Sequence, residues 1–319
     1  MDVPKLTRVE TESFLTDVLQ IKNWNEQLQK DREEFLNILM VVYQQNEPFQ
    51  TLSFMSEDFE IRRIPNWTEI KTAIFTKEGG LCHTLNTFLW TLLKSLGYDV
   101  YLVMANVVIG EKHLKKTLNH TVVIVRDLAT KGSLHVVDCG FGQPMFKAAL
   151  IKDNTKDQDN INDFNHQGSG EIYKYVRKDE DTYVRYHMSC NKKEKIDASA
   201  DDWRLSYWFN IQPNDFTDFY GNSVMNVYFG DRSPLEKISS FHYTILLMRL
   251  DGERDIMIKN QKFSNENDEH IMEAIDIPVD ELSDNIIKHF PYFKDKEDMM
   301  KKAFENMEKI KKKLSVKSF

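Results

Sequence analysis

Residues 78–86 read EGGLCHTLN, and the placement of Cys82 within them decides how the rest of the chain is read. After it the apolar residues are Leu85, Phe88, Leu89, Leu92, Leu93 and Leu96, spaced three and four apart as on a helix with one buried stripe. Gly97 follows the last of them as a C-terminal stop. Cys82 therefore falls in the first helical turn, on the apolar stripe or at its edge. Free cysteine is among the most buried residue types, so this placement alone describes a structural thiol. The position has a second property: a first-turn thiol faces unpaired backbone N–H groups and the positive end of the helix dipole, which favour the thiolate. Gly79 and Gly80 also let a substrate approach the backbone closely.

A nucleophilic thiol needs a base, and residues 120–140, HTVVIVRDLATKGSLHVVDCG, supply a candidate. Their apolar residues alternate, which reads as two strands joined by a short turn near Ala129. Centred there, the hairpin sets His120 opposite Asp138, with Val122 and Ile124 on the same face as Leu134 and Val136. A slip of two residues keeps the pair on one face, and a slip of one separates it. Opposed side chains have Cβ atoms ~4.5–5.5 Å apart, within reach of an imidazole–carboxylate hydrogen bond. Cys82, His120 and Asp138 then form a triad: the carboxylate orients the imidazole, and the imidazole takes the thiol proton. His83 points away from Cys82 around the helix, and His135 falls on the other hairpin face by parity.

The rest of the chain sets limits. Its 319 residues suit two or three packed units, and 41% hydrophobic with 29% charged residues is ordinary for a globular protein. A net charge of −8 argues against nucleic-acid binding. No basic segment leads into an apolar run at the N-terminus, and no stretch approaches the ~20 apolar residues of a membrane span, so no membrane association is expected. Three cysteines, Cys82, Cys139 and Cys190, make no disulfide framework and fit a reducing cytoplasm. No metal site is read. The Asp- and Asn-rich residues 152–170 read as a surface loop, and their DQDNIND lacks the central Gly and closing Glu of a calcium loop.

Helical periodicity covers residues 9–46, strands begin at Asp99, and GEIYKYVRKDEDTYVRYHMS reads as a hairpin turning near Glu180. A further strand is WRLSYWFNIQ, residues 214–226 look helical, and a second hairpin turns at Asp251-Gly252. Two helices close the chain. The last is basic, but Ala303, Phe304, Met307, Ile310 and Leu314 form an inward stripe, so its lysines read as a solvated face rather than a phosphate site.

At the triad segments the chain resembles the arylamine N-acetyltransferases. That family carries Arg-Gly-Gly-x-Cys-x-Glu-x-Asn at its nucleophile, a His opening a later strand and Asp-x-Gly-Phe-Gly ending the next. Here these are EGGLCHTLN, HTVVIV and DCGFGQP, with His120 38 residues after Cys82 and Asp138 18 after His120. EPFQTLSF is similar to the family's Ile-Pro-Phe-Glu-Asn-Leu, and residues 213–234 to its Pro…Asp-Phe…Asn-x-Tyr…Ser-Pro segment. The resemblance implies an α+β fold with a papain-like Cys-His-Asp triad. It comprises an N-terminal helical domain (1–98) carrying the nucleophile and a β-barrel domain (99–211) carrying His and Asp. An interdomain segment (212–240) and an α/β lid with C-terminal helices (241–319) follow. It further implies that acetyl-CoA acylates Cys82, which passes the acetyl group to an aromatic amine or hydrazine by a ping-pong route. Phe141 would line the acceptor pocket and Tyr228 would lie near coenzyme A.

The departures are specific. Glu78 stands at the family's Arg, Thr84 at its Glu, and Gln50 and Thr51 at the upstream Glu-Asn. The Arg is expected to pair with that upstream Glu behind the active site, so between positions 50 and 78 no ion pair remains. A buried Glu78 then needs a hydrogen bond, for which Gln50 is the candidate donor. Two other functions share the triad: a cysteine amide hydrolase, separated by what excludes water from the acyl-enzyme, and a non-catalytic relative that keeps the fold.

Overall fold

Side-chain caps set where the N-terminal helices begin. In the computed structural model, which describes residues 3–108, 117–153, 163–165, 172–188, 203–216, 225–228 and 239–316, helix α1 (Arg8–Ser13) starts in a Thr7–Glu10 capping box. It runs into a π-helical turn at Phe14–Val18. Helix α2 (Trp24–Lys30) leads to α3 (Arg32–Asn46), capped by the Asp31 carboxylate. After α4 (Leu52–Ser56), a second capping box, Asn66 with Glu69, opens α5 (Trp67–Phe75). Helix α6 (Cys82–Ser95) ends with Leu96 as C-cap and Gly97 at φ +79°, as its sequence predicts. Every residue from Cys82 to Leu93 is buried. The helix is therefore a central post rather than one with a single apolar stripe, with α1 and α5 on it from one side and two barrel strands from the other. Phe14, Tyr43, Phe75 and Phe88 pack ring against ring beside it.

Two antiparallel sheets follow. Strand β1 (Phe49–Gln50) belongs to the smaller. The larger comprises β2 (Asp99–Val107), β3 (His120–Arg126), β4 (Leu134–Val137), β5 (Ala149–Lys152), β6 (Asp163–Asn165), β7 (Ile172–Arg177), β8 (Thr182–Met188) and β9 (Trp203–Asn210). Its strand order is β5-β4-β3-β2-β9-β8-β7-β6, and it curls until β5 approaches β7 in a nearly closed barrel. Both β2 and β3 are almost wholly buried, because α6 covers one face of the sheet while the barrel interior takes the other.

The hairpin of β3 and β4 differs from its sequence reading by one step of two residues. Val123 pairs with Val137 and Ile124 with Val136, so His120 is in register with Gly140 rather than Asp138. The turn takes its shape from Asp127 and Gly132, both at positive φ, with the Asp127 carboxylate accepting from Gly132 N–H. A two-residue slip preserves the faces, so His120 and Asp138 still meet, diagonally. The 177–183 hairpin centres on residue 180 as expected. Within the expected loop 152–170, Asp163–Asn165 form β6 against β7. Cys190 and most of residues 214–226 lie outside the described residues.

The smaller sheet has the order β1-β10-β11-β12-β13, with β10 (Leu246–Asp251), β11 (Arg254–Lys259), β12 (Lys262–Glu266) and β13 (Met272–Asp276). Asp251 and Arg254 close the hairpin around Gly252. Helices α7 (Leu282–His289) and α8 (Glu297–Val316) end the chain, α8 lying on α4. Met300, Ala303, Met307 and Ile310 point inward, while Lys302 and Lys313 face Asp58 and Glu60 at the surface. No helix among the described residues is long and apolar enough to cross a membrane.

Candidate active site

The two glycines before Cys82 are held by the chain itself. Gly79 has φ +70° and Gly80 φ +153°. Gly80 N–H donates to the Pro48 carbonyl (3.0 Å), and its own carbonyl accepts from Gln50 N–H (3.1 Å). A Cβ at Gly79 would stand 1.9 Å from the Pro48 oxygen. The close approach that the sequence reserves for a substrate is here made by the backbone of residues 48–50, and it sets the direction in which α6 leaves the loop. Leu81 caps α6 without a side-chain acceptor, so the first-turn N–H groups around Cys82 have no side-chain cap.

Cys82 is 4% exposed, its Sγ 3.9 Å from the Asn119 carbonyl. His120 begins β3 immediately after that carbonyl. Its Nε2 lies 2.8 Å from Asp138 Oδ2, and the imidazole is also hydrogen-bonded to the Cys82 side chain, which leaves Nδ1 as the nitrogen facing the thiol. Asp138 follows β4 directly and is buried. Its Oδ1 accepts from Asn86 Nδ2 (2.8 Å) and Gly140 N–H (3.3 Å), and Asn86 also donates to the Thr121 carbonyl (2.6 Å). The three residues expected from the sequence are thus brought together.

Burial alone would lower the pKa of His120, but the charge and hydrogen bond of Asp138, with the bond to Cys82, push it up to about 10. Burial would raise Asp138; attraction to His120 and Arg185 and the Asn86 bond hold it below the usual carboxylate range. The imidazole is held protonated and the carboxylate ionised. By contrast, burial pushes His83 down to about 3, so it stays neutral, and pushes the Cys139 thiol well up, so it keeps its proton.

Phe141 is half-buried, 5.2 Å edge-on from the His120 ring and 4.9 Å from Tyr207. Tyr207 is itself 5.1 Å from His120. Tyr228 is buried and sits edge-on to Phe54 and His83, on the Gly79–Gly80 side of α6, where it lines a cavity of about 260 Å³.

Three contributors escaped the sequence reading. Asn86 closes the EGGLCHTLN motif four residues after Cys82, on the same helix face, so its signal was present. Arg185, in the alternating strand TYVRYHM, is buried with its guanidinium 4.9 Å from the Phe141 and Tyr173 rings, and its field reaches Asp138. Glu78 does have a cation: Lys296 Nζ meets its Oε2, while Ser53 Oγ donates to Oε1 (2.5 Å). Gln50 bonds to Ser53 rather than to Glu78, through Nε2 to Oγ (2.6 Å) and Oε1 from Ser53 N–H (3.1 Å). No ion pair joins positions 50 and 78, as expected, but the expected direct Gln50–Glu78 bond is replaced by one through Ser53, and Glu78 finds its cation in Lys296.

An antiparallel barrel between helical and α/β parts, with a Cys-His-Asp line at the head of a buried helix, defines the class. Residues 34–292 match the family model described as N-acetyltransferase, and the chain belongs to that family. It is similar to the uncharacterized acetyltransferase YvcN of Bacillus subtilis (strain 168), 23% identical over 232 residues, 72% of this chain and 81% of that protein. Its fold matches the arylamine N-acetyltransferase from Mycobacterium abscessus (TM-score 0.70, 14% identity, 95% of each chain). It also matches the Mycobacterium marinum arylamine N-acetyltransferase in complex with CoA (TM-score 0.68, 15% identity, 93% of this chain and 98% of that one).

Proposed function

We propose that the protein transfers an acetyl group from acetyl-CoA through a Cys82 thioester to an aromatic amine or hydrazine. The observation that carries this reading is the buried Cys82–His120–Asp138 line, with Asn86 fixing Asp138. Cys82 Sγ, its proton held by His120, attacks the thioester carbonyl, and coenzyme A leaves as a thiolate that takes the proton back from the imidazole. The acceptor amine then attacks the acetyl-cysteine carbonyl, gives a proton to His120, and Cys82 leaves as thiolate. Asp138 holds the imidazole ring and stabilises its charge. Phe141, flanking His120, is suited to stack on an aromatic acceptor, and Tyr228 is assigned to the coenzyme A side. The pair of free buried thiols, Cys82 and Cys139, suits a reducing cytoplasm.

Incubation with acetyl-CoA should add one acetyl group to Cys82, read by intact mass, and an arylamine should remove it as the acetylated amine. Cys82→Ser should fold and lose transfer by orders of magnitude. Rapid release of acetate without acceptor would turn the reading to a hydrolase, and no adduct at all would turn it to a non-catalytic relative.

A further inference from the structure

The Glu78 carboxylate sits on the loop that aims Cys82, and the cation it meets comes from the far end of the chain. Lys296 is 218 residues away, in the turn before α8, where its carbonyl accepts the first helical bond of α8 from Met300 N–H (3.0 Å). Its own N–H donates to Phe293 (3.0 Å), so both sides of the residue are tied down. An ammonium at a helix N-terminus stands at the positive end of the dipole, where a cation is disfavoured. The carboxylate of Glu78 offsets that cost, and both side chains are largely withdrawn from solvent (27% and 20% exposed). The other oxygen of Glu78 is fixed through Ser53 to Gln50, and Gln50 is the strand residue whose N–H holds the Gly80 carbonyl. Glu78, Ser53, Gln50 and Gly80 therefore form a closed circuit that returns to Glu78 along the chain, and Lys296 is tied to it at Glu78.

We infer that Lys296 and Glu78 are positioning residues for the nucleophile: the C-terminal turn holds the Gly79–Gly80 loop through this ion pair and so sets where Cys82 stands relative to His120. Relative to the pair implied by the family motif, the polarity is reversed. The loop carries the acid, and the cation arrives from the C-terminal part instead of from the loop itself. Thr84, in the first turn of α6, packs close on Gly80, so a shift of the loop is passed to the helix head that carries Cys82. Gln50, Ser53 and Glu78 line the same cavity as Tyr228, and the effect inferred for them is on the geometry of Cys82, which is why KM is read beside kcat. The inference rests on Cys82 being the nucleophile.

The test compares wild type with Lys296→Met, Glu78→Gln and the exchanged pair Glu78→Lys with Lys296→Glu. The readouts are the rate of Cys82 alkylation by iodoacetamide per folded molecule across pH, and kcat and KM for acetyl transfer. Each single variant should slow alkylation and lower kcat by about tenfold or more, since a ~1 Å misplacement of a reacting group can cost about a hundredfold, with KM little changed. The exchanged pair should recover most of the loss. A purely structural pair would lower the unfolding midpoint and leave the rate per folded molecule alone. Wild-type rates in the folded single variants, or an exchanged pair no better than either, would overturn the inference. If a single variant does not fold, Ser53→Ala, which cuts the circuit without removing a charge, should show the same loss in smaller measure, and an unchanged rate there overturns it equally. A wild-type Cys82 that iodoacetamide and acetyl-CoA both leave untouched removes the assignment of the nucleophile itself, a separate result.

Discussion

Asp138 has five neighbours that matter: His120, Asn86, Gly140 N–H, Arg185 and, beyond the imidazole, Cys82. This network has a pH signature. His120 is ordinarily protonated below about 6.5 in an unfolded chain and is raised to about 10 here. A raised folded pKa contributes stability that is complete below the unfolded value and disappears as pH rises through the folded one. The stability margin of wild type over Asp138→Asn should therefore shrink steadily from neutral pH to about 10. On the acid side Asp138 acts oppositely: its depressed value gives stability that is lost as pH falls through it. Denaturant unfolding of both proteins across pH reads the margin. A constant margin between neutral pH and about 10 would show that Asp138 does not hold the proton on His120. In acylation, His120→Ala and Asp138→Asn should be strongly non-additive, because the two act as a unit. Cys82, His120 and Asp138 were legible from the sequence because a helix start and a strand parity are local patterns. Arg185 was not, because the alternation of β8 marks it as inward-facing without saying that aromatic rings and a carboxylate wait there.

Among the elements, the hairpin carrying His120 and Asp138 shows what a period can and cannot fix. The face of each residue followed from alternation, but the register moved by two residues, since turn geometry at Asp127 and Gly132 sets it. Parity protected the site from that error. The head of α6 was the opposite case: the glycines were visible, but their partner, the two-residue strand β1, is too short for any periodicity. Two glycines at similar positive φ allow its contribution to be measured. Gly97, at φ +79°, has open space where a Cβ would go, so Gly97→Ala should cost only the left-handed backbone penalty of about 1–2 kcal/mol. Gly79, at φ +70°, would drive a Cβ into the Pro48 carbonyl, so Gly79→Ala should cost clearly more and should also slow acylation of Cys82. Equal unfolding costs for the two substitutions would mean that the loop does not rest on residues 48–50 as described.

On the scale of the whole molecule, the boundaries drawn at residues 98 and 241 separate stretches that the structure interleaves. Strand β1 pairs with β10, Thr51 Oγ1 donates to the Thr244 carbonyl and accepts from Leu246 N–H, and Asn306 Nδ2 donates to the Met55 and Glu57 carbonyls (3.1 Å each). These contacts join residues some 190 to 250 apart in sequence, so no pattern of local spacing announced them. Strand β1, which pairs with β10, also bridges to Gly80, which makes the candidate active site depend on the docking of the C-terminal sheet. We therefore propose that the three parts unfold together. The five tryptophans, at 24, 67, 90, 203 and 208, all lie before residue 212, so their fluorescence reports the helical and barrel parts alone. Hydrogen exchange at the amides of β10 to β12 reports the C-terminal sheet independently. The two probes should give one coincident denaturant transition. Asn306→Ala, which leaves the carbonyls of Met55 and Glu57 without their donor, should lower both midpoints by the same free energy, about 1–3 kcal/mol. If the amides of β10 to β12 exchange well before the tryptophans report unfolding, the C-terminal sheet opens on its own, and Asn306→Ala should then move the exchange midpoint alone.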